Sequence, residues 1–286
     1  MGLRDAPYHP RHMSTVLIVG GSGLLGRELV RQALDARHDT TATYHRRAAP
    51  VPGAVWHTLD IRDRAAVAAL VADVRPDVVV NAAYRQADWA TTADGGMHVA
   101  AAAAAIGARL VHVSSDAVFS GTAERYDETC PPDPVTPYGA AKAAAETAVA
   151  GLDPAAVIAR TSLIVGHGES LHETFVHALA AGTATGALFT DDVRCPVHVT
   201  DLAAALLELA ASGHRGVHHV AGADAVSRHE LGTLIARRDG LDPLRLPSAR
   251  RAGTGIPGPL AVRLDCAATQ ARLTTRLRGA REFLAA

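Results

Sequence analysis

The sequence predicts an α/β protein with a doubly wound parallel sheet and a smaller C-terminal region. Short β-branched and aliphatic runs alternate with helical patterns over the first half of the chain, which is typical of parallel strands joined by helices. A glycine-rich turn joins the first of these runs to the first helical pattern. The chain has 286 residues, of which 48% are hydrophobic, so it is long enough to bury a large core.

Each element of this sheet has its own signal in the sequence. Buried strands are expected at 15–19, 40–44, 55–59, 78–80, 110–113 and 156–159, where aliphatic residues cluster. A first helix follows the glycine turn, and further helices are expected at 63–74, 90–106 and 136–149. Beyond residue 166 the pattern loosens, with helices expected at 169–181, 201–211 and 227–238 and a strand at 216–220.

The composition excludes several classes of protein. Lys plus Arg total 28 and Asp plus Glu total 29, so the net charge of −1 provides no footprint for nucleic acid or an anionic membrane. No apolar run reaches the roughly 18 residues that a membrane span needs. Cys130, Cys195 and Cys266 are too widely spaced for a disulfide framework or a zinc site. We therefore expect a cytoplasmic protein without a metal site.

The glycine-rich turn predicts a dinucleotide site. Gly20, Gly23 and Gly26 have the spacing G-x-x-G-x-x-G between a strand and a helix, and Leu24 and Leu25 stand at the helix start. Glycines allow a tight turn close to a pyrophosphate, and the helix N-terminus supplies N–H donors. This context favours an NAD(P)-binding Rossmann fold over a plain glycine-rich turn.

The residues after the second and third strands indicate which dinucleotide binds. The second strand ends at Tyr44 and leads to Arg46 and Arg47, without the carboxylate that binds the ribose of NAD. Two guanidiniums suit a 2′-phosphate, so NADP(H) is the preferred cofactor, while NAD(H) and a plain exposed basic turn remain alternatives. Asp60 and Ile61 are candidates for the adenine edge or for a solvated strand end.

A tyrosine and the single lysine of the chain predict proton-transfer chemistry. Tyr138 and Lys142 form Tyr-x-x-x-Lys on one face of a helix. A nearby ammonium lowers the pKa of a tyrosine hydroxyl from about 10, which makes the hydroxyl usable as a general acid or base. Ser115, at the end of the fifth strand, is the candidate donor to a carbonyl oxygen, whereas Ser114 is better suited to capping the turn.

Taken together, these motifs resemble the extended short-chain dehydrogenase/reductases. The matching segments are 20–26, 81–84, 114–119, 138–142 and 160–162, in the order and spacing of that family. Glu128-Thr129 before a proline turn, and Pro196 followed by 200–203, make the chain most similar to the dTDP-4-dehydrorhamnose reductase subfamily. The resemblance covers about residues 15–211.

The resemblance implies roles for the matching residues. Ser115, Tyr138 and Lys142 would form the catalytic triad, with Lys142 also holding the nicotinamide ribose. A second group would line the cofactor site: Asn81, Ala82 and Ala83. The substrate candidates are Tyr84, Asp116, Leu163 and Arg194.

Several positions depart from the subfamily pattern. Leu163 replaces the usual Trp, Trp89 stands in an altered stretch, and Arg194 replaces a Gly. Arg194 would clamp a substrate phosphate or carboxylate if it faced the cleft, and would otherwise be a surface arginine. His98 stands where the subfamily is expected to carry the Asn of its proton relay. The cofactor half of the pattern is kept, and the sugar-nucleotide half is altered.

The sequence thus predicts an NADP(H)-dependent reductase acting on the carbonyl of a nucleotide-linked 4-keto-6-deoxy sugar or a similar keto substrate. The alternatives are an epimerase or dehydratase with a retained cofactor, and a non-catalytic nucleotide-binding subunit. We expect a leader at 1–13, a dinucleotide-binding domain at 14–165 plus about 197–222, and a substrate-binding region at about 166–196 and 223–286. A homodimer is left open.

Overall fold

The computed structural model describes residues 14–285, so the leader expected at 1–13 lies outside the described residues. The longer strands are β1 (Thr15–Val19), β2 (Asp39–Tyr44), β3 (Val55–Thr58), β4 (Val78–Asn81), β5 (Arg109–Ser115) and β6 (Val157–Thr161). The shorter strands are β7 (Ile164–Val165), β8 (Leu188–Phe189), β9 (Val193–Arg194), β10 (Val197–His198), β11 (Gly216–His219), β12 (Val226–Ser227) and β13 (Ser248–Ala249).

Nine α-helices accompany these strands in the described part of the chain. They are α1 (Leu24–Asp35), α2 (Arg64–Val74), α3 (Gly95–Ile106), α4 (Pro137–Leu152), α5 (Leu171–Ala180), α6 (Val199–Ala211), α7 (Arg228–Arg238), α8 (Ala267–Gln270) and α9 (Ala280–Phe283). Among the described residues, no helix is both long and apolar enough to cross a membrane.

The main sheet confirms the predicted fold class. Seven strands pair in the order β11–β6–β5–β4–β1–β2–β3, and every pairing is parallel. Helices cover both faces because side chains alternate along each strand. On one face Ile18 packs with α1 and α6, and on the other Leu17 packs with α2 and α3. The order reverses between β1 and β4, which leaves a crevice at the carboxyl edge of the sheet.

The second half of the chain forms a smaller hydrophobic cluster, the C-terminal cluster, in addition to the core of the sheet. Its buried members come mainly from α5 and α7, including Val176, Leu179, Leu231 and Ile235. Ser170 begins α5 with a complete capping box, in which the Glu173 side chain returns to the Ser170 backbone. The two helices and the short pair β8–β13 therefore form a second, distinct packing unit beside the sheet.

The predicted helix at 90–106 is wrong in its first turn. Ala90–Asp94 forms a π-helical turn, and the α-helix begins at Gly95. The hydroxyl of Thr92 in this turn donates to the Arg85 carbonyl at 2.8 Å and accepts from the Arg85 amide at 3.1 Å. This local pairing ties the first turn to the loop after β4.

Candidate active site

The turn between β1 and α1 requires glycine at two positions. Gly20 has φ of +85°, and a Cβ there would lie 2.8 Å from the Ala83 backbone. A Cβ on Gly26 would lie only 2.2 Å from the Gly20 carbonyl oxygen. A Cβ on Gly23 would meet nothing nearer than 3.6 Å, and the α1 N-terminus has no side-chain cap. The first N–H groups of α1 therefore face open space, as an anion site requires.

A cavity of about 650 Å³ lies over this turn. Its walls include Gly20, Gly23, Tyr44, Ala82, Ala83 and Tyr84. Four arginines line it, Arg27, Arg46, Arg47 and Arg85, against a single carboxylate, that of Asp60. The cavity is therefore strongly positive, and its position at the carboxyl edge of β1, β2 and β4 is where doubly wound sheets bind ligands.

The carboxylate of Asp60 is paired with Arg62, two residues further along the same turn. It accepts hydrogen bonds from Arg62 at 2.6 and 2.9 Å, and these lower the pKa of Asp60 to about 2. Arg46 and Arg47 are exposed, and no ion pair engages them within the described residues. The cavity keeps two free guanidiniums beside the end of β2, as the sequence predicts.

Some predicted cofactor residues contribute only backbone or packing. The side chain of Leu25 is buried in the core with Leu29, and Leu24 packs against the same cluster. The Asn81 side chain turns inward, where its amide contacts His112 Nδ1 at 3.3 Å and its oxygen accepts from the Ala83 amide. Asn81 thus shapes the turn after β4 and does not line the cavity.

β5 and α4 deliver the three predicted catalytic side chains to this edge of the sheet. α4 begins with Thr136 as its N-cap, which places Tyr138 in the first turn and Lys142 one turn later. The ring of Tyr84 lies near both side chains, 5.9 Å from the Tyr138 ring and 5.1 Å from the Lys142 Nζ. Ser115 is the last residue of β5.

The net shift of the Tyr138 pKa is upward, opposite to the direction predicted from the charge of Lys142. Burial raises the pKa of Tyr138 above its ordinary value, with Tyr84 and Asp116 adding to the rise and Ser115 opposing it. Lys142 is only 3% exposed and donates to the Val113 carbonyl at 2.9 Å. Burial lowers the pKa of Lys142 to about 8. Tyr138 therefore holds its proton at neutral pH.

The roles predicted for the two serines at the end of β5 are partly exchanged. Ser115, not Ser114, caps the following turn, because its hydroxyl accepts from the Ala117 amide at 3.2 Å. The same hydroxyl donates to Asp116 at 3.3 Å. Ser114 is buried and donates to Glu146, which is paired with Arg160. Successive strand residues face opposite sides, so only one of the two can reach the open edge.

Both expectations for Arg194 are wrong, since it is neither a cleft clamp nor a surface residue. It is 5% exposed, and its guanidinium pairs with Asp192 at 2.8 Å and lies 3.7 Å from Asp116. Its N–H groups also donate to the carbonyls of Pro259 and Leu260. Two buried carboxylates draw the side chain inward, because a buried charge needs a partner.

His98 and Leu163 also have structural partners. His98 Nδ1 contacts the Ile61 carbonyl at 2.9 Å, so the side chain faces α2 and its loop and makes no contact with Lys142. Leu163 is half-buried against the C-terminal cluster, and its carbonyl accepts from the Val197 amide. His98 therefore contacts the loop that precedes α2.

A second cavity, of about 240 Å³, lies between α5, α7 and β8. Phe175 and Phe189 line it together with His172, Asp192 and Arg228. Burial and the charge of Arg228 lower the pKa of His172 to about 4. No sequence motif points to Arg228 or to either phenylalanine. The one feature of the sequence that could have drawn attention to them is the scarcity of phenylalanine: two of the four phenylalanines in the chain line this cavity.

The fold and the site together define a class of protein. A parallel sheet with this strand order, a glycine turn at the start of α1, and a Ser, a Tyr and a Lys at its carboxyl edge are the marks of the extended short-chain dehydrogenase/reductases. Among the described residues, no cluster of three or more His, Cys, Asp or Glu side chains could hold a metal ion.

The family within this class follows from comparison with known proteins. The family model described as the RmlD substrate binding domain matches residues 13–286, and the chain belongs to this family. The chain is 34% identical to a dTDP-4-dehydrorhamnose reductase of Mycobacterium tuberculosis, over 85% of this chain and 82% of that one. It is 33% identical to a dTDP-4-keto-6-deoxy-D-glucose reductase of Streptomyces niveus, over 83% and 84%.

Other relatives extend the comparison. The methionine adenosyltransferase 2 subunit beta of Xenopus laevis is 30% identical, over 87% of this chain and 80% of that one. The crystal structure of a dTDP-4-dehydrorhamnose reductase from Bacillus anthracis in complex with NADP shares the fold, with a TM-score of 0.82, 23% identity and coverage of 96% and 98%. A hypothetical dTDP-4-dehydrorhamnose reductase from Sulfolobus tokodaii has a TM-score of 0.79 at 29% identity, with coverage of 92% and 96%.

Proposed function

We propose that this chain is an NADP(H)-dependent reductase that transfers a hydride to the carbonyl of a nucleotide-linked 4-keto-6-deoxy sugar or a similar keto substrate. One observation carries the proposal: Tyr138 and Lys142 both lie within 6 Å of the Tyr84 ring, which lines a cavity that also contains four arginines. Ser115 ends β5, a strand adjacent to the one that precedes Tyr84. The reductase names of the relatives from Mycobacterium tuberculosis and Streptomyces niveus support the same reaction class.

The residues present fit a phosphorylated dinucleotide. The uncapped N-terminus of α1 and the open side of Gly23 would hold the pyrophosphate. Arg46 and Arg47 would hold the 2′-phosphate through forked N–H donors. Lys142 would hold the nicotinamide ribose, as in the family it resembles. NAD(H) would gain nothing from the two guanidiniums, so it is the weaker cofactor.

Ser115, Tyr138 and Lys142 each have a role in protonating the substrate carbonyl. When bound, NADPH supplies the hydride. Tyr138 donates its proton to the carbonyl oxygen as negative charge develops there, and Ser115 donates a hydrogen bond to the same oxygen. Because burial raises its pKa, Tyr138 carries this proton at neutral pH. The ammonium of Lys142 then stabilises the tyrosinate that remains.

The second cavity is the proposed substrate subsite. Phe175 and Phe189 offer aromatic faces to a planar base, and Arg228 offers a cation to a phosphate. On this basis we propose the two binding regions that the sequence predicts. Residues 14–165 and about 197–222 bind the dinucleotide, and about 166–196 and 223–286 bind the substrate. The separate C-terminal hydrophobic cluster supports this boundary.

Cofactor preference is the first test. We expect NADPH to bind at least tenfold more tightly than NADH, because charge-assisted contacts to a phosphate contribute about 1.5–3 kcal/mol. The double variant Arg46→Ala, Arg47→Ala should lose most of this preference. Isothermal titration calorimetry with both cofactors measures it, and Arg237→Ala, a change outside the cavity, is the control. Equal affinities in the parent protein would contradict the proposal.

Substrate preference is the second test. Leu163 lacks the aromatic face of the usual Trp, and base–aromatic stacking contributes about 1–3 kcal/mol. We therefore expect dTDP-4-dehydrorhamnose to be a poorer substrate than another keto compound in a panel of nucleotide sugars and free ketones. The measurement is kcat/KM from NADPH oxidation. A wide margin in favour of dTDP-4-dehydrorhamnose would show that Leu163 has little effect on selectivity.

A non-catalytic nucleotide-binding subunit is the second candidate function. Its support is the 30% identity to the methionine adenosyltransferase 2 subunit beta of Xenopus laevis. This candidate predicts NADPH binding without turnover on any member of the panel. An epimerase or dehydratase would instead convert a nucleotide sugar without net NADPH consumption, and a nicotinamide cofactor would copurify with it. Product analysis by mass spectrometry separates the three functions.

A further inference from the structure

A chain of buried charges reaches Ser115 from the C-terminal region. Asp116 is 5% exposed, and one of its carboxylate oxygens accepts from the Ser162 hydroxyl at 2.6 Å. The same oxygen lies 3.7 Å from Arg194 Nε. The other oxygen accepts from the Ser115 hydroxyl at 3.3 Å. Asp116 thus stands between a candidate catalytic donor and a buried cation.

The lengths of these contacts rank the partners of Asp116. Hydroxyl donors reach a carboxylate at about 2.5–2.7 Å when the bond is strong. The Ser162 contact falls in this range, whereas the Ser115 contact at 3.3 Å is long. A serine hydroxyl has one proton, so Ser115 cannot serve both Asp116 and a substrate carbonyl. The Ser115 proton is available to the substrate carbonyl only if its hydrogen bond to Asp116 is weak.

We propose that Arg194 is a positioning residue, which acts through Asp116 to leave the Ser115 proton free for the substrate carbonyl. Arg194 and Ser162 together satisfy the negative charge of Asp116, so the carboxylate makes only a long contact with Ser115. Without Arg194, the same carboxylate would draw the Ser115 proton closer and withdraw it from the substrate. This inference rests on the proposed function, because the carbonyl donor role of Ser115 belongs to that reaction.

After removal of Arg194, Asp192 keeps two cations, both of which contact its other carboxylate oxygen. Asp192 also pairs with Arg251 at 3.0 Å and with Arg228 at 3.5 Å. Arg194→Leu therefore removes the cation from Asp116 and leaves Asp192 with two arginines. The matched control is Arg278→Leu, which breaks the 2.8 Å pair between Arg278 and the buried carboxylate of Asp201, with no contact to the Ser115 chain.

The test compares steady-state kinetics and thermal melts of these variants with the best substrate of the panel. Arg194→Leu should lower kcat by about tenfold to a hundredfold, less than the roughly 10²–10³-fold loss of a deleted carbonyl donor because Ser115 itself remains, with the KM for NADPH unchanged. Adding Asp116→Asn should restore part of the lost kcat, because a neutral amide is a weaker acceptor. Arg278→Leu should lower Tm and leave kcat intact. An unchanged kcat in Arg194→Leu, or no recovery with Asp116→Asn, overturns the inference.

Two further measurements keep the test decisive. If Arg194→Leu does not fold, Ser162→Ala removes the other partner of Asp116, and kcat should fall in the same direction; an unchanged kcat then overturns the inference. If the parent protein reduces no substrate, the proposed function fails, and crystal structures decide the inference by themselves. The distance from Ser115 to Asp116 should shorten from 3.3 Å to below about 2.8 Å in Arg194→Leu. An unchanged distance overturns it.

Discussion

Lys142 is the only lysine of the chain, and it is almost completely buried. Its ammonium donates to the Val113 carbonyl and lies over the face of Tyr84. Burial lowers its pKa to about 8, which reports the cost of holding this charge away from water. A cation kept at that cost beside Tyr138 is more easily explained by chemistry than by packing.

Lys142→Arg should inactivate the protein and leave it folded. The guanidinium is longer, planar and forked, so it cannot take a point-charge position between Val113 and the Tyr84 ring without displacing one of them. Proton transfer from a positioned acid contributes about 10²–10⁴-fold, and we expect a loss of that order in kcat. Turnover at saturating NADPH and a thermal melt of the same sample measure the two effects.

Tyr138→Phe provides the matched control for this prediction. It removes the hydroxyl without changing the buried charge, so it should lose activity and keep the parent affinity for NADPH. Near-parental turnover in Lys142→Arg would mean that the lysine is an accident of composition. The catalytic interpretation of α4 would then have to be abandoned.

At the scale of elements, the site depends on how closely α1 approaches the turn that precedes it. The Gly20 carbonyl oxygen lies where a Cβ on Gly26 would be, so the first turn of α1 packs directly on the backbone. This close approach aims the N–H groups of α1 at the cavity. The opposite case occurs near the end of α4, where a Cβ on Gly151 would meet nothing within 4 Å.

Gly26→Ala and Gly151→Ala should therefore change stability in opposite directions. The first forces α1 away from β1, and overpacking of this kind costs about 1–3 kcal/mol. It should lower Tm and weaken NADPH binding. The second replaces glycine by alanine in an exposed helix and should stabilise the fold by up to about 1 kcal/mol. Differential scanning calorimetry and cofactor titration test both. Equal NADPH affinity in Gly26→Ala and the parent would contradict the packing argument.

At the scale of the whole molecule, the fold buries several histidines in neutral form. Burial lowers the pKa of His112 to about 3, with the charge of Lys142 adding to the effect. Burial and Arg228 lower the pKa of His172 to about 4. The pKa values of three further histidines are also lowered mainly by burial: His198, His218 and His219. These groups make the stability of the fold depend on pH.

We expect the free energy of unfolding to fall as the pH drops from 7.5 to 5. Above about pH 6.5 these histidines are neutral in both states and contribute nothing to the difference. Below pH 6.5 the histidines of the unfolded chain bind protons, whereas in the folded chain His172 and His112 bind them only near their lowered pKa values of about 4 and about 3. Because the unfolded state binds more protons over this range, lowering the pH favours unfolding. Urea titrations at fixed ionic strength measure this slope. His172→Asn should flatten it, and a constant or rising stability toward pH 5 would refute the argument.

The sequence by itself determined the features that depend on local spacing. The parallel sheet follows from aliphatic runs alternating with helices, and all seven of its strands were expected within a few residues of their observed bounds. The glycine turn and the Tyr138–Lys142 pair were equally visible, because each is fixed by a strand-to-helix turn or by one helical repeat. The family resemblance rested on these motifs, and comparison confirmed it.

Only the tertiary structure decided features that depend on distant partners. Arg194 is buried because Asp116 and Asp192 approach it from other segments, and no local pattern records their positions. His98 faces Ile61 for the same reason. The pKa of Tyr138 rises mainly because the side chain is buried, and burial is a property of the assembled fold. Spacing along the chain fixes neighbours within an element, whereas desolvation and charge pairing are fixed only when the elements pack together.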